Sequence, residues 1–114
     1  GDPVPPMTPV KVDWIARLLA SPVFAAQREL AGKLAPSEDT VRTFLELLDR
    51  QHGRLSRAAV ARALGQPEIR VRGIIAGLQR VLNVDGYPIV VTDEVTDSVE
   101  LQRDLLRRQF QVEA

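Results

Sequence analysis

Arginine supplies most of the chemistry this chain could do. Thirteen of its 114 residues are Arg and two are Lys, against fifteen carboxylates, one histidine and no cysteine. Between Gly53 and Asn83 lie Arg54, Arg57, Arg62, Arg70, Arg72 and Arg80 with the single acid Glu68, a net of +5. Between Val84 and Glu100 lie Asp85, Asp93, Glu94, Asp97 and Glu100 with no base, a net of −5. Guanidinium groups gathered on one helical unit suit phosphate, whereas a run of carboxylates pushes phosphate away. The six arginines are candidate nucleic-acid contacts. Asp93, Glu94 and Asp97 are candidate contacts for a protein.

Other chemistries find less support. His52 stands just before Gly53 at a helix end, where it suits a C-terminal cap, and no nucleophile or metal partner is indicated for it. Ser21, Ser37 and Ser56 each precede a helical run and read as N-caps rather than nucleophiles. Asp93, Glu94 and Asp97 lack the spacing and turn glycine of a calcium loop. The sequence holds no phosphate loop and no dinucleotide fingerprint, so no catalytic residue, metal or cofactor is expected. Its few aromatics make a poor platform for single strands. Without cysteine there is no disulfide, thiol nucleophile or thiolate metal site, and a reducing compartment, the cytoplasm, is expected. No apolar run approaches the roughly 20 residues that span a bilayer. The formal net charge is zero, whereas a free-standing nucleic-acid domain is more often basic.

These side chains must be carried by helices. Residues 1–11 are proline-rich and read as a linker, 12–36 as an N-terminal helical extension, and 37–114 as a winged-helix domain. Trp14, Ile15, Leu18 and Leu19 form one apolar stripe. Ser21-Pro22 breaks and restarts the helix, and Val23, Phe24, Gln27, Leu30 and Leu34 continue it, with Gly32 loosening its end. Ser37 caps a third helix, with Glu38 and Asp39 in the first turn where the dipole favours them. Val41, Phe44, Leu45, Leu47 and Leu48 bury its inner face, and Gly53 ends it. Arg54-Leu55 could supply a short strand. Ser56 caps the next helix, with Ala59, Val60, Ala63 and Leu64 inward, and Gly65 stops it in a left-handed conformation. Pro67 opens a further helix lined by Val71, Ile74, Ile75, Leu78 and Leu82. Asp85-Gly86 marks a turn, Tyr87 to Thr92 and Ser98 to Leu101 pair as strands around a polar loop, and Leu105, Leu106 and Phe110 close with a helix. The expected class is mainly α with a small β-hairpin: a winged helix-turn-helix core preceded by two N-terminal helices.

In such a unit the helix after the turn reads the major groove. At 100° per residue its outer face holds Ile69, Gly73, Ala76 and Arg80, with Gly77 beside them and Arg70 and Arg72 on the flanks. Base readout needs long polar side chains, and the glycines offer none. Each glycine also costs the helix about 1 kcal/mol relative to Ala. A smooth face admits another backbone. Ile69, Gly73, Ala76 and Gly77 are therefore a candidate protein interface, and the two N-terminal helices are candidates to cover it. DNA is the disfavoured partner. Opposed charge lobes could also pair two copies head to tail as a homodimer, and a free-standing regulator dimerised through the extra helices is a third reading.

Three strings carry a family resemblance: Trp14 to Phe24 (WIARLLASPVF), Leu78 to Pro88 (LQRVLNVDGYP) and Val99 to Phe110 (VELQRDLLRRQF). Together they resemble the C-terminal region of PglZ proteins, from the phage growth limitation and bacteriophage exclusion (BREX) defence systems of bacteria. The resemblance spans about Val12 to Phe110. It implies a larger parent with an alkaline-phosphatase-like catalytic domain upstream, whose metal-binding residues lie outside this chain. It also implies methyltransferase, kinase and ATPase partners. The expected role is a non-catalytic interaction module in phage resistance. It would hold another defence protein or the parent's own catalytic domain, with no membrane partner.

Overall fold

A computed structural model describes residues 13–113. The proline-rich segment 1–11 and the helix start near Val12 lie outside the described residues. Six α-helices and one three-stranded antiparallel sheet follow in the order α1 (Trp14–Leu19), α2 (Pro22–Ala31), α3 (Glu38–Arg50), β1 (Arg54–Ser56), α4 (Arg57–Leu64), α5 (Glu68–Leu82), β2 (Val90–Asp93), β3 (Ser98–Leu101) and α6 (Arg103–Gln109).

The caps fall where short polar side chains precede helical runs. Ser21, Ser37 and Ser56 oxygens accept from the backbone N–H of Phe24, Thr40 and Ala59, answering donors that each helix leaves open. Gly65 closes α4 at φ 65°. At the end of α3, His52 takes the left-handed conformation, at φ 56°, and the Gly53 N–H donates to the Leu48 carbonyl at 2.7 Å. Gly53 is needed for another reason. At φ 87° its Cβ position lies 2.8 Å from the Leu101 carbonyl oxygen, because β3 passes directly over it and Leu101 N donates to its carbonyl.

β3 is the central strand of the sheet, in the order β1-β3-β2. Arg54 pairs with Glu100 and Ser56 with Ser98 on one side, and Val90 with Leu101 and Asp93 with Ser98 on the other. The hairpin thus becomes a three-stranded sheet once Arg54–Ser56 joins it. Pro88 keeps β2 from starting before Val90, since it has no N–H to give the ladder. Gln79 and Asn83 at the end of α5 grip that start: both side-chain amides donate to the Val90 carbonyl, and Asn83 Oδ1 accepts from Val90 N at 2.7 Å.

One continuous core joins all the helices and the sheet. α1 and α2 contribute Ile15, Leu18, Leu19 and Phe24, α3 contributes Val41, Phe44, Leu45 and Leu48, and the sheet and α6 contribute Val90, Val99, Leu101 and Leu106. The two ends of the described chain meet. Arg17 Nη2 donates to the Val112 carbonyl at 3.1 Å, and the Arg107 guanidinium lies 4.9 Å from the centre of the half-buried Trp14 ring.

The inward faces of α2 and α4 differ from those read in the sequence, whereas that of α5 keeps Val71, Ile75, Leu78 and Leu82. Helix α2 stops at Ala31 because Gly32 turns to φ 57°, and a single 3₁₀ turn follows to Leu34. Leu34, past that break, is 60% exposed, and Leu30, still within α2, is 81% exposed because the inward face of the helix runs through Phe24, Gln27 and Ala31; both were expected on the buried stripe. On α4 the buried stripe is Arg57, Val60 and Ala61, with Leu64 half-buried and Ala63 exposed. On α5, Val81 is buried and Ile74 only half so, and Pro67 sits at the N-cap rather than in the first helical position.

Candidate functional site

Arg57 opens α4 directly after its cap. A cation there faces the positive end of the helix dipole, and the first turn of α4 contains no acid. The compensation comes from 37 to 40 residues away. The turn between β2 and β3 brings Glu94 and Asp97 onto the Arg57 guanidinium: Nη1 donates to Asp97 Oδ1 at 2.6 Å and Nη2 to Glu94 Oε1 at 2.8 Å. The Arg57 N–H also donates to the Asp97 carbonyl at 2.9 Å, holding Asp97 at φ 53°. Arg57 is 4% exposed, and its stem lies on the same buried stripe as Val60 and Ala61. Short charge-assisted bonds to Asp97 and then Glu94 raise the Arg57 pKa above its already high ordinary value.

Two further arginines close on the same turn. Arg72 Nη1, from the first half of α5, lies 3.1 Å from Glu94 Oε2, and Nη2 lies 3.9 Å from Asp97 Oδ1. Arg54 reaches Asp93 at 3.6 Å and Glu100 at 3.8 Å, and donates to Thr96 Oγ1 at 3.2 Å. The turn is built to present these oxygens. Asp93 Oδ1 accepts from the N–H of Val95 and of Thr96, and Thr96 Oγ1 meets Ser98 Oγ at 2.7 Å. Those backbone donors hold the Asp93 carboxyl below its usual range, and the Arg57 and Arg72 guanidiniums do the same for Glu94.

The two charge lobes of the sequence therefore neutralise each other in part within one chain, through Arg54, Arg57 and Arg72. Of the six candidate nucleic-acid arginines, Arg54, Arg57 and Arg72 are ion-paired and Arg57 is out of solvent. Arg62, Arg70 and Arg80 are exposed and make no ion pair with the described residues. The candidate interface acids Asp93, Glu94 and Asp97 all face these arginines, although their side chains are roughly half to two-thirds exposed.

The outer face of α5 divides in two. Toward its C-terminal end, α2 packs along it, and Gln27 Nε2 donates to the Arg80 carbonyl at 3.3 Å. Gly77 is buried here, its Cβ position 3.2 Å from the Leu34 carbonyl oxygen and 3.5 Å from Pro36 Cδ. Toward the N-terminal end the face is bare. Ile69 is 90% exposed, Ala76 is exposed, and nothing lies within 4 Å of a Cβ placed on Gly73. The segment that follows α2, Leu34 to Pro36, thus covers one of the two glycines, in the same chain. Sequence reasoning did not single out Arg57 from the other arginines. The available signal was its place three and four residues before Val60 and Ala61, on the apolar stripe of α4.

Among the described residues no cluster of His, Asp and Glu has the geometry of a metal site, and no helix is long and apolar enough to cross a membrane. The family model for the C-terminal domain of BREX system PglZ proteins matches residues 9–111. The chain belongs to that family. No curated protein and no solved structure gives a match. The three strings that carry the family resemblance fold in this PglZ C-terminal domain as α1 with the first turn of α2, the end of α5 with the turn after it, and β3 with α6. Their apolar members Leu18, Phe24, Leu78, Leu82, Val99 and Leu106 are core residues.

Proposed function

We propose that this PglZ C-terminal domain is a non-catalytic docking module built on a winged helix-turn-helix plan. The order α3, β1, α4, α5, β2, β3 with the sheet order β1-β3-β2 supports that plan, α4 and α5 being the two-helix unit and β2–β3 the wing. The observation that carries the docking reading is the wing turn itself. Its carboxylates hold Arg54, Arg57 and Arg72, which on this plan would otherwise face phosphate, while the start of α5 presents Ile69, Gly73 and Ala76 to solvent. An apolar, weakly charged helix face between satisfied ion pairs suits a protein surface better than a duplex. The partner is another component of the phage-defence system or the parent's upstream catalytic domain. Co-purification of the isolated chain with each of these in turn tests the reading. Stable association with one of them, lost on Ile69→Glu, is the expected result. Failure to associate with any of them would overturn it.

A second reading rests on Arg62, Arg70 and Arg80, which are exposed and without ion pairs among the described residues. It makes the domain a duplex binder through backbone phosphates, with affinity that falls steeply with salt.

A further inference from the structure

The bare half of α5 borders a groove of about 530 Å³ whose lining includes Leu34, Leu64, Ile69, Arg70, Gly73 and Ile74. Three of its features are those of a seat for a helix. Ile69, Gly73 and Gly77 follow one another at intervals of four, the row that forms a ridge in helix packing. Here the ridge begins with a protruding Ile69 and drops to an open position at Gly73, so a large apolar side chain from a neighbouring helix fits between them. Leu34, exposed because the chain turns out of helix at Gly32, forms the opposite lip. The third feature is charge. Arg70 is the one charged residue lining this groove, and it has no ion pair among the described residues.

We propose that this groove receives an amphipathic helix from a partner protein, with a Leu-sized side chain over Gly73 and a carboxylate against Arg70. The proposal rests on the docking reading above and specifies the chemistry of the partner. A guanidinium at the rim of an apolar trough selects an acidic helix over a basic one, and the trough supplies the anchor. The wing carboxylates lie beside the first turn of α5, where Asp97 and Ile69 line one shared cleft. Arg57 and Arg72 in that cleft are already engaged by Glu94 and Asp97, which leaves Arg70, among the described residues, as the cation free to meet an acidic residue of the partner.

The probe is a pair of synthetic helical peptides with leucines at i, i+3, i+4 and i+7. One is flanked by glutamates and its twin by lysines, and each is titrated into the whole chain by fluorescence anisotropy. The glutamate peptide is expected to bind at least about tenfold more tightly than its twin. Gly73→Leu, which fills the seat, should weaken it at least about tenfold. Arg70→Glu, an exposed change that leaves the fold intact, should reverse the preference between the peptides. Equal binding of the two peptides, no binding of either up to about 100 µM, or binding untouched by Gly73→Leu in a chain with native circular dichroism would each overturn the proposal. The failures are separable. A defence-system component that still co-purifies with Gly73→Leu leaves the docking reading standing and removes this groove from it. Absence of any associating component removes the docking reading itself.

Discussion

Neutralising the wing turn gives the sharpest quantitative test of the charge arrangement. Each phosphate contact contributes about −0.9 to the slope of log affinity against log salt. On the α4–α5 face that would meet a duplex, Arg54, Arg57 and Arg72 are held by carboxylates, which leaves Arg62, Arg70 and Arg80 as the arginines to offer there. Three contacts give a slope no steeper than about −2.7, a loss of roughly 40-fold between about 50 and 200 mM salt. Six contacts would give about −5.4 and a loss of roughly 2,000-fold. The double substitution Glu94→Gln with Asp97→Asn keeps the shape of the turn and removes its charge. It frees Arg72 at the surface, while Arg57 stays walled in by α4. The slope should then steepen by one contact, to about −3.6. Fluorescence anisotropy of a labelled duplex over a salt series measures all three values. A native slope near −5, unchanged by the double substitution, would refute the reasoning that the turn occupies these arginines.

Other outcomes follow from the same geometry. Gly53→Ala combines a left-handed backbone with a Cβ 2.8 Å from the Leu101 carbonyl, and should cost about 3 kcal/mol in urea unfolding. Gly65→Ala, with open space at its Cβ, should cost about 1 kcal/mol. On α5 the two glycines should behave oppositely: Gly73→Ala should stabilise by about 0.5–1 kcal/mol through helix propensity, and Gly77→Leu should destabilise by about 2 kcal/mol or more by pushing off the Leu34–Pro36 segment. The carboxyls of Asp93 and Glu94 titrate below their ordinary values of 3.8 and 4.5 in the folded chain, so their stabilisation is whole above those values and is lost as pH falls through the lowered ones. Thermal unfolding should therefore hold steady from neutral pH to about pH 5 and fall below about pH 4, and Glu94→Gln should flatten part of that fall.

Local signals in the sequence located most of the fold. Ser21, Ser37 and Ser56 cap because their oxygens reach donors three residues on, and Gly65 stops a helix by its own backbone freedom, so both effects are settled within a few residues. An apolar stripe carried through Gly32 places Leu34 inward, whereas the backbone turns out of helix at that residue, and Leu30 faces outward within α2 itself. Gly73 and Gly77 look equivalent in the sequence. What separates them is the Leu34–Pro36 segment, some forty residues earlier in the chain, which reaches only one of them. The charge blocks were legible as blocks but not as partners, since Arg57 meets Glu94 only after the β2–β3 hairpin folds back on α4. The burial of Arg57 was legible in principle, from an arginine standing where the stripe of α4 calls for an apolar residue.

On the proposed docking role, this PglZ domain engages protein rather than duplex through the exposed start of α5. Side-by-side calorimetric titrations at physiological salt, of the whole chain with the parent's catalytic domain, with each defence-system component and with duplex DNA, test it most directly. The expected result is saturable binding to one protein, abolished by Ile69→Glu, with duplex binding at least about tenfold weaker. Tight duplex binding with no protein partner, indifferent to Ile69→Glu, would contradict it.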